Sequence, residues 1–226
     1  MREIVLDTET TGLDPADGHR VIEIGAIEVM NRLPTGRAFH KYINPEREIE
    51  ASAIRVHGIT NEQVADMPLF HEVTDELLEF MADSPLVAHN ARFDINFINH
   101  ELQWASLPTL ENEVIDTLAI AREKFPGSQV SLDALCRRFE VDLSERTLHG
   151  ALLDAELLAT VYLELTGGQQ PTFSLAEDEA TAGDNPDKYK KTQPRPARSF
   201  TVPTEELAAH EAFVKTIEGN LWGKTE

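Results

Sequence analysis

The apolar residues of this chain change their repeat part-way along, and that change restricts the fold more than any other feature. Residues 3–6, 21–29 and 38–43 read as strands, rich in β-branched residues, and Asn44-Pro45 ends the third. Three such runs in succession suggest an antiparallel meander. From Phe70 onward the period is helical: Phe70, Val73, Leu77, Leu78 and Met81 recur at three- and four-residue steps after Pro68. A short apolar run, 86–88, then precedes a helical pattern over 91–104 with Phe93, Phe97, Ile98 and Leu102. A last short strand, 113–116, precedes a helix over 117–124 that Pro126-Gly127 breaks. Ser131 is placed to cap a helix over 132–139, and a final helix over 150–166 stops at Gly167-Gly168. Residues 46–59 read as irregular. Strands first, then strands alternating with helices, predict an α/β fold: a mixed sheet flanked by helices.

The first strand leads into Asp7-Thr8-Glu9-Thr10-Thr11-Gly12. Side chains two apart in a strand share a face, so Asp7 and Glu9 lie side by side while Thr8 points the other way. Two adjacent carboxylates repel unless a cation lies between them, and a hard divalent ion such as Mg²⁺ or Mn²⁺ suits an all-oxygen site. A solvated acidic turn is the other reading. Two further stretches bear on the choice. In His89-Asn90-Ala91-Arg92-Phe93-Asp94 a strand ends and Asp94 falls in the first turn of the next helix, where the helix dipole alone would favour it. In the stretch 149–154, His149 precedes a helix and Asp154 lies one turn inside it, beside Leu152, Leu153, Ala155, Leu157 and Leu158. An unpaired carboxylate on such a packed face would cost several kcal/mol, and a metal partner resolves that. Two-metal hydrolysis needs several carboxylates at one point and a base for the attacking water. His149 can also be read as a surface or capping residue.

Taken together in this order, the three stretches resemble the motifs of the DnaQ-like (DEDDh) 3′–5′ exonucleases, with the His-x4-Asp spacing of the histidine branch. Val56-His57-Gly58-Ile59-Thr60, Phe125-Pro126-Gly127, Ser131-Leu132-Asp133-Ala134-Leu135-Cys136 and residues 147–155 bring the resemblance nearer to the proofreading subunits of bacterial DNA polymerase III, over residues 1–168. The resemblance implies a ribonuclease H-like fold with a five-stranded mixed sheet. It implies that Asp7, Glu9 and Asp154 ligate two divalent ions, Mg²⁺ or Mn²⁺, that Asp94 completes the acidic set, and that His149 is the general base. It implies nucleotide contacts from Thr8 and His57 beside the metal ligands, and from Ser52, which stands where some relatives carry Glu. The implied activity is removal of mispaired 3′-terminal nucleotides from single-stranded or frayed DNA. An RNA-trimming exonuclease of the same fold and a non-catalytic scaffold bridging polymerase and clamp are the competing readings.

Beyond the 1–168 domain, residues 176–198 hold almost no large apolar side chains and read as a disordered linker within 169–198. Gln170 to Leu175 resembles a clamp-binding peptide, anchored by Gln170 with Phe173 and Leu175 as apolar plugs. Residues 199–226 resemble the segment that docks on the polymerase (alpha) subunit: Thr204 would cap a helix over 205–218 carrying Leu207 and Phe213, with Trp222 beyond it. Charge agrees with outside help. Residues 1–167 hold 13 basic and 30 acidic groups, a net of −17 within the chain's −20, so little of the Lys and Arg that grips phosphate is present. No apolar run is long enough for a signal peptide or a membrane span, and a single cysteine, Cys136, permits no intrachain disulfide. The expected compartment is the cytoplasm. Asp116 and Asp133 read as helix-start residues; His40, His71, His100 and His210 read as surface positions, and Trp104 as helix packing.

Overall fold

The computed structural model describes residues 1–144, 146, 148–168 and 203–217. Strands β1 (Arg2–Thr10), β2 (Val21–Met30) and β3 (Leu33–Tyr42) form the antiparallel meander. Strands β4 (Leu86–Ala88) and β5 (Val114–Asp116) join parallel to β1, giving a five-stranded mixed sheet in the order β3-β2-β1-β4-β5. β1 does not stop before its acids. It continues to Thr10 because Asp7 and Glu9 stay in register with β2, opposite Gly25 and Glu23.

Alternation along β1 and β2 divides the core in two. Ile4, Leu6, Ile24 and Ala26 face α3 (Phe70–Met81) and α4 (Arg92–Trp104). Val5, Ile27 and Val29 face the other way, onto α5 (Thr117–Lys124), α6 (Leu132–Arg138) and α7 (Ala151–Leu165). α7 is apolar nearly all round, so it is sunk against the sheet and only positions such as Glu156 and Thr160 reach solvent. Cys136 is buried in this second core, and burial raises its thiol to about 11, so it is an inert core residue.

The segment read as irregular contains a short helix, α1 (Ala51–His57), and a second, α2 (Asn61–Val64), follows it with no reading from the sequence. One or two turns are too few for a helical period to show in sequence. Local chemistry fixes them instead: Gly58 takes the left-handed conformation (φ 75°) that closes α1, and the Gln63 side chain accepts from the Thr60 amide (2.7 Å) at the start of α2. Ile49, Ile59 and Val64 then pack on Ile22. Trp104 departs from its expected role: it is exposed at the end of α4 and stacks under the Arg20 guanidinium at 4.7 Å.

A separate unit contains α8 (Thr204–Lys215). Its N-cap is Pro203, and Thr204 is already its first helical residue, so Thr204 is not the cap. No residue of α8 is buried; Leu207 is 46% and Phe213 65% exposed. The linker, Gln170, Phe173, Leu175 and Trp222 lie outside the described residues. No helix among the described residues is long and apolar enough to cross a membrane.

Candidate active site

The two faces of β1 deliver its polar end to two different helices. Thr8 faces α4, and its amide and hydroxyl both donate to Asp94 Oδ1, at 3.0 and 2.7 Å. Thr8 therefore holds an acid in place and turns its hydroxyl away from solvent. Asp94 is buried in the first turn of α4, where the helix N-terminus suits it. The turn leading into α4 needs a left-handed residue, Asn90 (φ 68°), and Asp116 accepts from the Asn90 amide (3.0 Å). Asp116 also accepts from the Leu118 amide (2.9 Å), so it is the α5 cap rather than a member of the acidic cluster.

Asp7 and Glu9 face α7, as do their cross-strand partners Gly25 and Glu23. Gly25 is where the N-terminus of α7 rests: any Cβ there would run into the backbone of Ala151 and Leu152. Gly150 offers no side-chain cap to α7. Glu23 supplies one from the sheet, accepting from the Ala151 amide (3.1 Å) while its other oxygen meets His40 Nε2 (2.7 Å). His40 thus has a partner that its isolated place in the sequence did not suggest. The result places Asp154, buried one turn into α7, over the acids of β1. Glu9, His149 and Asp154 bring ligand atoms within 4.8 Å of one another. His149 Nδ1 is 3.2 Å from Asp154 Oδ2, and the ring is half exposed. A hydrogen bond from the His149 amide to the Val56 carbonyl (3.3 Å) ties this loop to α1.

Electrostatics separate the four acids. Burial, then the charges of Asp94, Glu9 and Asp154, push Asp7 well above the usual carboxylate range. Burial, followed by Asp154, Glu23 and Asp94, lifts Glu9 to about 8. Asp94 rises to about 7, chiefly through burial, with the Thr8 hydrogen bonds opposing. For Asp154 burial acts upward too, but the hydrogen bonds and charge of Arg146 and His149 together hold it below the usual value. Carboxylates crowded this closely, three of them short of positive charge, are the donor set a hard divalent cation stabilises, so the residues fit divalent metal ions.

Beside the acids lies a cleft of about 260 Å³ with mainly apolar walls, including Leu13, Val56, His57 and Phe93. Gly12 lets its floor form, since a Cβ there would strike the His19 ring. Ser52 lines the cleft from α1, with its hydroxyl 3.2 Å from Glu50. His57 Nδ1 accepts from the Ile59 amide (3.0 Å), which leaves the proton on a buried Nε2 that has no hydrogen-bond partner among the described residues. Burial lowers the His57 pKa. Two residues absent from the sequence reading matter here, Glu23 and Arg146. Glu23 could be found only once the β1–β2 register was known. Arg146 carries no signal in its spacing.

The profile of the Exonuclease family matches residues 4–162. The chain is 52% identical over 222 residues to the DNA polymerase III subunit epsilon of Rickettsia felis, covering 96% of this chain and 97% of that one. It is 45% identical over 227 residues to the subunit of the same name from Escherichia coli, covering 96% and 93%. Among solved structures it resembles Exonuclease X in complex with 5′ overhanging duplex DNA, with a TM-score of 0.58, 28% identity and coverage of 72% and 90%. The nuclease domain of 3′hExo, a DEDDh family member bound to rAMP, shares the fold, with a TM-score of 0.62, 21% identity and coverage of 75% and 94%.

Proposed function

The chain belongs to the Exonuclease family and, within it, to the DNA polymerase III epsilon subunits, 3′–5′ proofreading exonucleases; from that premise we propose that Asp7, Glu9 and Asp154 hold two divalent ions, Mg²⁺ or Mn²⁺, and that His149 is the base. When bound, such ions supply the positive charge that the attacked phosphate and the departing 3′ oxygen require. The rest is the work of side chains. His149 stands at the open rim with its ring half exposed, within reach of water. A neutral imidazole accepts a proton near pH 7, and the Asp154 carboxylate beside Nδ1 steadies the cation that forms. Asp94, fixed by Thr8, sets the field around Asp7.

The cleft receives the 3′-terminal nucleotide. Val56, Leu13 and Phe93 offer apolar surface to base and sugar, the His57 ring forms part of the same wall, and Ser52 presents a hydroxyl beside it. A frayed end reaches this cleft more cheaply than a paired one, which selects mismatches. Hydrolysis breaks the bond to the 3′ oxygen of the preceding nucleotide and releases a 5′-mononucleotide.

The polymerase subunit is the partner for residues 199–226, with exposed Leu207 and Phe213 of α8, and Trp222, as contacts. Gln170, Phe173 and Leu175 serve the sliding clamp, and the cytoplasm is where these partners meet. The single observation that carries the catalytic reading is the convergence of Glu9, His149 and Asp154 from β1, the loop before α7 and α7 itself. Asp7→Ala combined with Glu9→Ala should abolish Mg²⁺-dependent degradation of a 3′-mismatched primer; unchanged degradation would sink the assignment. Matched DNA and RNA oligonucleotides, compared side by side, should favour DNA.

A further inference from the structure

Arg146 occupies the position a cation would take at Asp154. Its side chain is only 7% exposed. Nε reaches Asp154 Oδ1 at 2.6 Å and Nη2 reaches Asp154 Oδ2 at 2.7 Å, a two-pronged contact that engages both carboxylate oxygens. Nη2 also lies 2.9 Å from His149 Nδ1, and Nη1 binds Asp133 at the start of α6. The guanidinium therefore holds two of the three groups that converge at the site, Asp154 and His149. A divalent ion and Arg146 cannot both use the same Asp154 lone pairs.

We propose that Arg146 is a tethered cation that holds the Asp154 side of the site until metal loads, leaves Asp154 when it does, and so sets the metal affinity of the exonuclease. The inference rests on the reading of Asp154 as a metal ligand. Two consequences follow. First, apparent metal affinity is lowered by the fraction of molecules in which Arg146 holds Asp154. Second, while Arg146 donates to Nδ1 of a neutral His149, that nitrogen is the acceptor and Nε2 carries the hydrogen. Once Arg146 leaves, Nδ1 can donate to Asp154 Oδ2, 3.2 Å away, and Nε2 becomes the free acceptor. The same departure thus opens the ligand and sets the tautomer of the base. Asp133, which binds Nη1 from α6, anchors the arginine in its metal-free position.

The test is Mn²⁺ binding followed by paramagnetic resonance on the full chain, together with thermal unfolding in chelator and in saturating Mn²⁺. Arg146→Gln should bind Mn²⁺ more tightly, by about tenfold if roughly a tenth of wild-type molecules have Arg146 displaced. Its unfolding temperature in chelator should fall by about 5 °C or more, and the gap to wild type should narrow in Mn²⁺. Ring ¹⁵N shifts of His149 should move toward the Nδ1-protonated form in the variant. Arg146→Lys, which keeps the charge but not the two-pronged contact, should fall between the two. Unchanged or weaker Mn²⁺ binding in both variants, or equal destabilisation with and without Mn²⁺, would overturn the proposal. Asp154→Asn separates the two levels: if it binds Mn²⁺ as tightly as wild type, the metal-ligand reading fails and the role of Arg146 falls with it.

Discussion

Glu9 is the residue whose ionisation the fold resists most legibly. Its carboxyl has an ordinary value of 4.5 and is lifted to about 8 in the folded chain. Between those values the folded protein holds a proton that the unfolded chain has lost. Stability of the metal-free protein must therefore fall as pH climbs from about 4.5 and level off above about 8. Asp94, raised from 3.8 to about 7, acts in the same sense over its own window. Urea midpoints measured in chelator should decline from pH 5 to pH 8, and saturating Mg²⁺ should flatten that decline because bound cations favour the ionised acids. A decline that Mg²⁺ leaves untouched would mean that the titrating acids are not the ligands. Asp154 behaves differently because Arg146 already supplies its counter-charge. Both side chains of that pair are nearly inaccessible, but Asp133 still pairs with Arg146 when Asp154 is removed, so Asp154→Ala should destabilise the metal-free protein by less than the about 3–5 kcal/mol of a fully orphaned buried charge. Chemical denaturation in chelator measures it.

Among the elements, α7 and β1 make the site by where they cross, and the crossing depends on a missing side chain. Gly25 lies opposite Asp7, directly beneath the first turn of α7. Gly25→Ala should push Ala151 and Leu152 off the sheet, cost about 1–3 kcal/mol by overpacking, and carry Asp154 away from Glu9. Exonuclease turnover should drop by more than the stability loss explains, since the displaced atoms are those next to the proposed metal ligands. Glu23→Gln should do far less harm than Glu23→Ala, because an amide oxygen can still accept from the Ala151 amide. The antiparallel meander, the mixed character of the sheet and the long helices were legible from period, since alternation and 3.6-residue repeats report on which face is buried, whereas the strand order β3-β2-β1-β4-β5 was not. The acids were legible only as three stretches in a recognisable order, because period alone left a solvated turn and a helix-start acid open as readings. What sequence could not give were relations that exist only across the register: Glu23 beside Glu9, Gly25 beneath Ala151, and Thr8 turned onto Asp94. The helices α1 and α2 escaped for a different reason, being set by a glycine C-cap and a single side-chain hydrogen bond rather than by a repeating face.

At the scale of the whole molecule, charge and catalysis pull in opposite directions. The net of −17 over residues 1–167 repels the phosphate backbone of the DNA on which an exonuclease acts. Counterion release from Lys and Arg contacts drives most nucleic-acid binding, and here such contacts are few. The isolated chain should accordingly bind single-stranded DNA weakly, with a shallow dependence on salt, and its exonuclease activity should show a high KM. If residues 199–226 dock on the polymerase subunit as proposed, the source of affinity changes: the partner grips the duplex, and the 3′ end meets the site at high effective concentration. KM for a mismatched primer should therefore fall by about tenfold or more in the complex, while kcat on a fully unpaired end stays near that of the free chain. Removing residues 199–226 should cancel the KM gain and the pull-down with the polymerase subunit while leaving hydrolysis of short single-stranded oligonucleotides intact, because none of the described site residues lies beyond Asp154. A truncated chain that still gains from the polymerase would place the docking surface on the exonuclease domain, and loss of basal hydrolysis on truncation would show that the tail reaches the site itself.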